Sequence, residues 1–283
     1  MLCIKYEPKS LSDIVGQDEV INFLKNAVEI SENNNFFVYG TYGIGKTSLV
    51  KSFANDYGFD LYIYNFFQYD SFRYITNLIE NKLAFSNKKA VLLIDEFQDI
   101  PKSAQSVLLK YLEKKYQHIY IFLIATDKNS VLDTIISRCL YIEMKKIKNI
   151  DIKNHLKMIA EKEKIKIDDS ILDFIVAKSS GHLRDAINYL ESYSYNNKLF
   201  DILDIDFFSV DEEELSSYDY VELLYLFSNY IHNYVRKSMN YDFVKIKEMV
   251  FTYYRLKNFV SSFDDFITML NVIKKIKDGG IDV

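Results

Sequence analysis

Phe36-Phe37-Val38-Tyr39-Gly40-Thr41-Tyr42-Gly43-Ile44-Gly45-Lys46-Thr47-Ser48-Leu49-Val50 is the stretch on which the fold turns. Gly40, Gly45, Lys46 and Thr47 occupy every fixed position of G-x-x-x-x-G-K-[ST]. An apolar run of strand type precedes them, and Thr47 to Ala54 continue at helical spacing. Strand, glycine loop and helix together form the context that makes the pattern a phosphate-binding loop. Glycines let backbone N–H groups close around phosphate oxygens, and the helix N-terminus adds positive potential. Lys46 is expected to reach the β/γ-phosphates and Thr47 to offer its hydroxyl to Mg²⁺. Gly43, Ile44 and Ser48 complete the set of loop residues expected around the nucleotide.

Ala90-Val91-Leu92-Leu93-Ile94-Asp95-Glu96 is the second signal. An uninterrupted apolar strand suits a parallel sheet covered on both faces. Alone, an apolar strand ending in two carboxylates says little. About 50 residues after a phosphate loop, it predicts Asp95 as the metal-side carboxylate and Glu96 as the group that polarises an attacking water.

Working outward, Tyr6 to Gln17 reads as an extended lead-in, followed by an amphipathic helix over 19–31 with Asp18 as its N-cap. Strands are expected at 59–64, 119–125 and 140–143. Helices are expected at 71–82 and 101–116, the latter with Val107, Leu108, Leu109 and Leu112 facing inward. Strands alternating with helices predict a parallel α/β sheet covered on both sides. After the basic connector Lys145-Lys146-Ile147-Lys148 the patterns are helical only: 152–163, 170–178, 183–195, then about 217–238, 241–257 and 261–277. Boundaries near 146 and 203 follow, giving domains at 1–146, 147–203 and 204–283.

Thirty-five basic and 40 acidic residues leave a net charge of −5, so any nucleic-acid contact has to come from a local patch. No apolar run reaches the ~18 residues a membrane span needs, and no secretory signal is seen in MLCIKYEPKS. The only cysteines, Cys3 and Cys139, could pair only with each other and form no metal-ligand spacing, so a reducing cytoplasm is the simplest expectation.

In this order the pieces resemble the AAA+ ATPase subunits of sliding-clamp loaders: replication factor C small subunits, bacterial gamma/tau subunits and the ATPase subunit of T4-like phages. The lead-in KYEPKSLSDIVGQ is similar to KYRPxxLxDIVGQ, with Glu7 in place of Arg. Ala104 to Glu113 resembles the family's helix after the acidic strand. Ser137-Arg138-Cys139 carries its Ser-Arg-Cys motif, and Ser180 to Ala186 resembles its sensor 2 stretch. The resemblance implies a P-loop AAA+ core, a helical lid and a C-terminal helical collar. It implies Thr126 as sensor 1, Arg138 as an arginine finger acting on a neighbouring subunit, and Arg184 as sensor 2. Tyr6, Ile14 and Val15 either line the adenine pocket or simply pack in the core. Arg73 of Asp70-x-x-Arg73, Lys102, Ser103 and Lys110 either face DNA phosphates or form a solvated face. The implied cofactors are ATP and Mg²⁺. The implied partners are a sliding clamp, primer–template DNA and further loader subunits, in a pentamer. Two departures stand out: no four-Cys module lies before the acidic strand, and Asp-Glu-Phe-Gln replaces Asp-Glu-Ala-Asp. Both are phage-like. A DNA-remodelling AAA+ motor and a non-hydrolysing scaffold subunit are the alternatives.

Overall fold

In a computed structural model, the structure describes residues 1–65, 73–83, 86, 88–114, 116–195, 207, 215–216, 223–224, 226–227, 230–231, 249, 252–253 and 255–277. The chain divides into two compact units. One comprises Met1–Lys166 and Ser179–Glu191, the other Ile167–Lys178 and Ser192–Val283.

The first unit is built on five parallel strands: β1 (Asn35–Tyr39), β2 (Asp60–Asn65), β3 (Ala90–Asp95), β4 (Ile119–Ala125) and β5 (Leu140–Glu143). Their order is β2-β3-β4-β1-β5. All seven residues of β4 are buried, and so are the first five of β3. Parallel strands buried on both faces need such continuous apolar sequence. Because side chains alternate along a strand, each strand feeds two cores. Phe36, Val38, Val91, Leu93, Phe122 and Ile124 meet α2 (Asp18–Ile30) and α3 (Lys46–Asp56) through Leu24, Leu49 and Phe53. Phe37, Leu92, Ile94, Ile121 and Leu123 belong to the opposite core with Ile75, Leu108 and Ile135. Phe36 and Phe122 are register partners on adjacent strands and stack at 4.6 Å.

Ile75 lies on α4 (Arg73–Asn77), which runs on into a wider π-type turn at Leu78–Leu83. Asp70 and the rest of 66–72 lie outside the described residues, so the expected start of this helix does too. Leu108 lies on α5 (Lys102–Glu113) and Ile135 on the single-turn α6 (Asp133–Ile136). α7 (Asn149–Glu163) follows the sheet, and α9 (Leu183–Tyr195) returns after α8 (Asp169–Ser179).

Several sequence expectations are corrected. Asp18 is the first helical residue rather than the N-cap; Gln17 holds that position, and its amide donates to the Lys145 carbonyl at 2.7 Å. The Asp18 carboxylate acts on the helix dipole instead. The lead-in is not wholly extended: α1 (Leu2–Lys5) precedes it, and Ser10 and Asp13 close a reciprocal capping box around a short 3₁₀ turn at Leu11–Asp13. On α5, Val107 faces outward at 42% exposure. The inward stripe runs through Gln105, Leu108, Tyr111 and Leu112.

In the second unit, Phe207, Phe227 and Phe266 are buried and meet edge to face. Phe266 belongs to α10 (Phe263–Lys277), inside the span expected for the last helix. Leu223 and Leu226 are also buried, while Phe259 is 77% exposed. The helices expected at 217–238 and 241–257, with Tyr220, Phe251 and Tyr254, lie largely outside the described residues.

Candidate active site

The carboxyl ends of β1, β3 and β4 lie side by side in the sheet, the edge at which open α/β folds bind ligands. β1 runs into the glycine loop. A side chain at Gly40 would bring its Cβ within 2.6 Å of the Met144 carbonyl, so only glycine lets the loop leave the strand there. Gly45 caps α3 at φ +100°, a left-handed conformation that glycine adopts without steric cost.

Lys46, the first residue of α3, is 6% exposed. Its Nζ donates to the carbonyls of Gly40 at 2.9 Å and Thr41 at 2.8 Å. Burial pulls the ammonium below the usual lysine range; Glu96 and Asp95 oppose that pull and Arg184 adds to it. Burial remains the largest effect, so the two carboxylates do not fully offset the cost of the buried charge, and phosphate oxygens are what such an arrangement accepts. Thr47 donates its hydroxyl to Asp95 Oδ2 at 2.9 Å, and Asp95 Oδ1 accepts the Glu96 N–H at 3.0 Å. The structure therefore joins the two sequence signals through one hydroxyl–carboxylate contact. That pair of hard oxygens fits Mg²⁺, which takes one or two protein oxygens and leaves the rest of its shell to phosphates and water. Among the described residues no group of three or more His, Cys, Asp or Glu could hold a metal by itself.

Glu96 adopts φ +49°. A left-handed non-glycine residue costs on the order of 1 kcal/mol and is commonest at functional sites. Gln98 Nε2 donates to Glu96 Oε2 at 2.5 Å, and Gln98 Oε1 accepts the backbone N–H of Thr126 at 3.1 Å. Thr126 directly follows β4, at the same edge as Asp95 and Glu96.

A cavity of about 380 Å³ opens beside this edge. Tyr6, Ile14, Val15, Gly43, Ile44, Gly45, Lys46, Thr47, Ser48, Glu96 and Arg184 all line it. Arg184 stands in the first turn of α9, and its backbone N–H donates to the Gly43 carbonyl at 3.2 Å. Tyr42, His155 and Cys3 also line the cavity and were not singled out from the sequence. Burial lowers the His155 pKa, which favours its neutral form. Tyr42 stacks on His182 at 4.3 Å. Cys3 donates to Asn188 Oδ1, and Cys139 is a free thiol that burial pushes up to about 12.

Arg138 does not line this cavity. It follows α6, and its Nε and Nη2 donate to Glu113 Oε1 at 2.9 and 2.6 Å, while Nη1 donates to the Thr134 carbonyl at 2.7 Å. Its side chain remains 35% exposed. Lys102 and Ser103 are exposed in the first turn of α5, whereas Lys110 pairs with Glu80 at 2.9 Å. Arg73 begins α4.

Residues 64–148 match the family described as DNA polymerase III, delta subunit, and residues 154–195 match the RCF1/5-like AAA+ ATPase lid domain. The replication factor C small subunit of Methanosphaera stadtmanae is 26% identical over 254 residues, which cover 87% of this chain and 75% of the relative. That of Methanococcus vannielii is 31% identical, over 66% of this chain and 62% of the relative. The replication factor C large subunit of Sulfolobus acidocaldarius is 33% identical over 66% of this chain, but the match spans under half, 46%, of that protein. Among solved structures, the Thermotoga maritima RuvB Holliday junction branch migration motor superposes with a TM-score of 0.59 at 21% identity. The superposition spans 69% of this chain and 67% of that one, and at such identity it speaks for the fold alone. The lid match, the replication factor C relatives and the phosphate loop and acidic strand joined at one sheet edge agree: this chain is similar to the AAA+ ATPase subunits of clamp loaders.

Proposed function

We propose that this chain is an ATP-hydrolysing clamp loader subunit, acting in DNA replication to open a sliding clamp and load it onto primer–template DNA. The observation that carries the reading is that Lys46, Thr47 and Glu96 share one cavity wall with Arg184, while Arg138 lies outside that cavity on a half-exposed turn. Such a site is complete for binding and lacks one positive charge for cleavage, the charge an arginine finger brings from a neighbouring chain.

In this reading the loop N–H groups, Lys46 and Arg184 hold the triphosphate. Thr47 and Asp95 would hold Mg²⁺, which when bound offsets charge on the β- and γ-phosphates. Glu96 takes a proton from the attacking water. The water oxygen bonds to the γ-phosphorus as the bond to the bridging oxygen breaks, leaving ADP and phosphate. Thr126 reads the γ-phosphate, and Tyr6, Ile14 and Val15 shape the adenine end. Residues 147–203 form the lid and 204–283 a collar that joins several subunits, five in the completed ring. Lys102 and Ser103 on α5, with Arg73, meet DNA phosphates; Lys110 joins them only by giving up Glu80. The site of action is the cytoplasm.

The test is ATPase activity of the assembled complex with clamp, with primer–template DNA, and with both. The two together should stimulate more than either alone. Lys102→Glu should reduce that stimulation equally for all DNA sequences and lower its salt dependence, with basal activity kept. Full stimulation by DNA without clamp, accompanied by strand separation or branch migration, would make this a remodelling motor instead.

A further inference from the structure

We infer that Gln98 is the positioning residue for Glu96, fixing the water-polarising carboxylate to the end of the neighbouring strand β4. The inference rests on the ATPase reading and deepens it. Gln98 sits on the short 3₁₀ turn Phe97–Asp99 that follows Glu96. Phe97 is fully buried, and the Asp99 N–H closes the turn on the Glu96 carbonyl at 3.0 Å. The turn is thus anchored, and the Gln98 side chain leaves it with a defined direction.

Both ends of that side chain are used. The amide nitrogen donates to Glu96 Oε2, and the amide oxygen accepts from the Thr126 N–H. Chemistry forces this orientation of the amide: a carboxylate can only accept and a backbone N–H can only donate. Of the twenty side chains, an amide long enough to span the two groups meets both demands at once. A carboxylate at position 98, as in an Asp-Glu-x-Asp sequence, could accept from Thr126 but would repel Glu96. Gln98 is therefore specific to the job of holding an ionised Glu96.

One oxygen of Glu96 is committed to Gln98, which leaves the other to take the water proton. The carboxylate is oriented by a third group, the same logic by which a catalytic base is held in other hydrolases. Because the tether's far end is the backbone at Thr126, a shift of β4's end relative to β3 moves the base as well. The residue that reads the γ-phosphate and the residue that activates water are in this way mechanically joined. Displacing a reacting group by about 1 Å can cost on the order of 10²-fold in rate.

The experiment compares Gln98→Met, Glu96→Gln and the double variant in the assembled complex, reading ATP affinity and single-turnover cleavage separately. Gln98→Met keeps the length and packing of the side chain and removes both hydrogen bonds. It should bind ATP as the unchanged protein does and cleave it about 10- to 100-fold more slowly. The double variant should be no slower than Glu96→Gln alone, because a residue acting through Glu96 has nothing left to position. Gln98→Glu, of the same size but unable to donate when ionised, gives an independent route to the same loss. Unchanged or faster cleavage in Gln98→Met would overturn the inference. So would a loss that tracks ATP affinity, or one that reappears in full on top of Glu96→Gln. Cleavage at the ordinary rate in Glu96→Gln would instead remove the role given to Glu96 and the tether with it, whereas no ATP cleavage by the unchanged complex would sink the ATPase reading on which both rest.

Discussion

Lys46 and Arg138 are both cations of the same α/β unit, and the fold holds them in opposite ways. Lys46 is buried against two backbone carbonyls, with no ion pair among the described residues and its ammonium weakened by burial. Arg138 is half-exposed and tied to Glu113, itself 55% exposed. A buried cation whose neighbouring carboxylates do not offset its burial is costly, which suits Lys46 to receive an anion inside the chain. An ion pair as exposed as Arg138–Glu113 is worth about 0–1 kcal/mol. An arginine finger lowers the barrier by about 4 kcal/mol or more, for a rate gain of ~10³ upward. The pair can therefore be exchanged for a phosphate at small cost. In the proposed function, one cation serves a ligand held within and the other is stored at the surface for a neighbouring chain.

The largest expected effect tests that division directly. Arg138→Ala should leave ATP affinity of the isolated subunit unchanged and lower the assembled rate ~10³-fold or more. Lys46→Ala should lose nucleotide binding in its own site. Complexes mixed from the two variants should regain activity wherever an intact site meets an intact finger. If Arg138→Ala already weakens ATP binding in the isolated chain, or if mixed complexes form and stay inactive, the two cations do not divide the work in this way.

A smaller effect is expected at Gln105, which anchors the region that carries Arg138. Gln105 is fully buried; its amide donates to the carbonyls of Ile100 at 2.8 Å and Ser130 at 2.9 Å, and its oxygen accepts the Leu132 N–H at 3.0 Å. Gln105→Ala leaves those backbone groups without this partner and should destabilise the fold by about 3 kcal/mol. Denaturant unfolding measures it. The same variant should slow assembled cleavage more than it weakens ATP binding, because Leu132 precedes α6 and Arg138 follows it. Equal losses in both would mean that the finger and the pocket are not independently supported.

These residues also show how far the sequence could be read. The loop glycines, Lys46, Thr47, Asp95 and Glu96 are legible because phosphate chemistry demands particular residue types at fixed local spacing. The strands are legible because two buried faces require unbroken apolar runs. Gln105 was passed over and Val107 wrongly placed inside, since a periodic reading sees only polarity. A glutamine can occupy a core position when it satisfies three backbone groups there. Gln98–Thr126 and Arg138–Glu113 join residues more than 20 positions apart, and such contacts leave no local period. α1 is too short to show one. The capping box at Ser10 and Asp13 was visible as Ser-x-x-Asp and could have been found.

The smallest effect concerns the cavity's outer wall and whether Tyr6 belongs to the part built in advance. Tyr6 donates its hydroxyl to Glu163 Oε1 at 2.5 Å, Lys5 pairs with the same oxygen, and Glu191 accepts the Leu2 N–H at 2.8 Å. The hydrogen bond to Glu163 pushes the Tyr6 phenol up to about 12. Lys5 and then Tyr6 hold Glu163 below the usual carboxylate range, and the Leu2 N–H does the same for Glu191. A carboxylate lowered by folding stabilises the fold above its unfolded value of about 4.3, and that support is lost as pH falls through the lower folded value. A phenol raised by folding works in the other direction: support present below about 10 is lost as pH rises towards the folded value. The N-terminal segment should thus stay closed from about pH 5 to pH 10 and loosen beyond both ends. A site-resolved titration of the tyrosine rings should find the Tyr6 phenol ionising at about 12, and Glu163→Gln should bring it down. Amide exchange at Tyr6, whose N–H donates to the Leu2 carbonyl, should quicken below about pH 4 after correction for intrinsic rates. A Tyr6 phenol that ionises near 10 with Glu163 intact would show that this hydrogen bond does not hold the wall in the nucleotide-free chain.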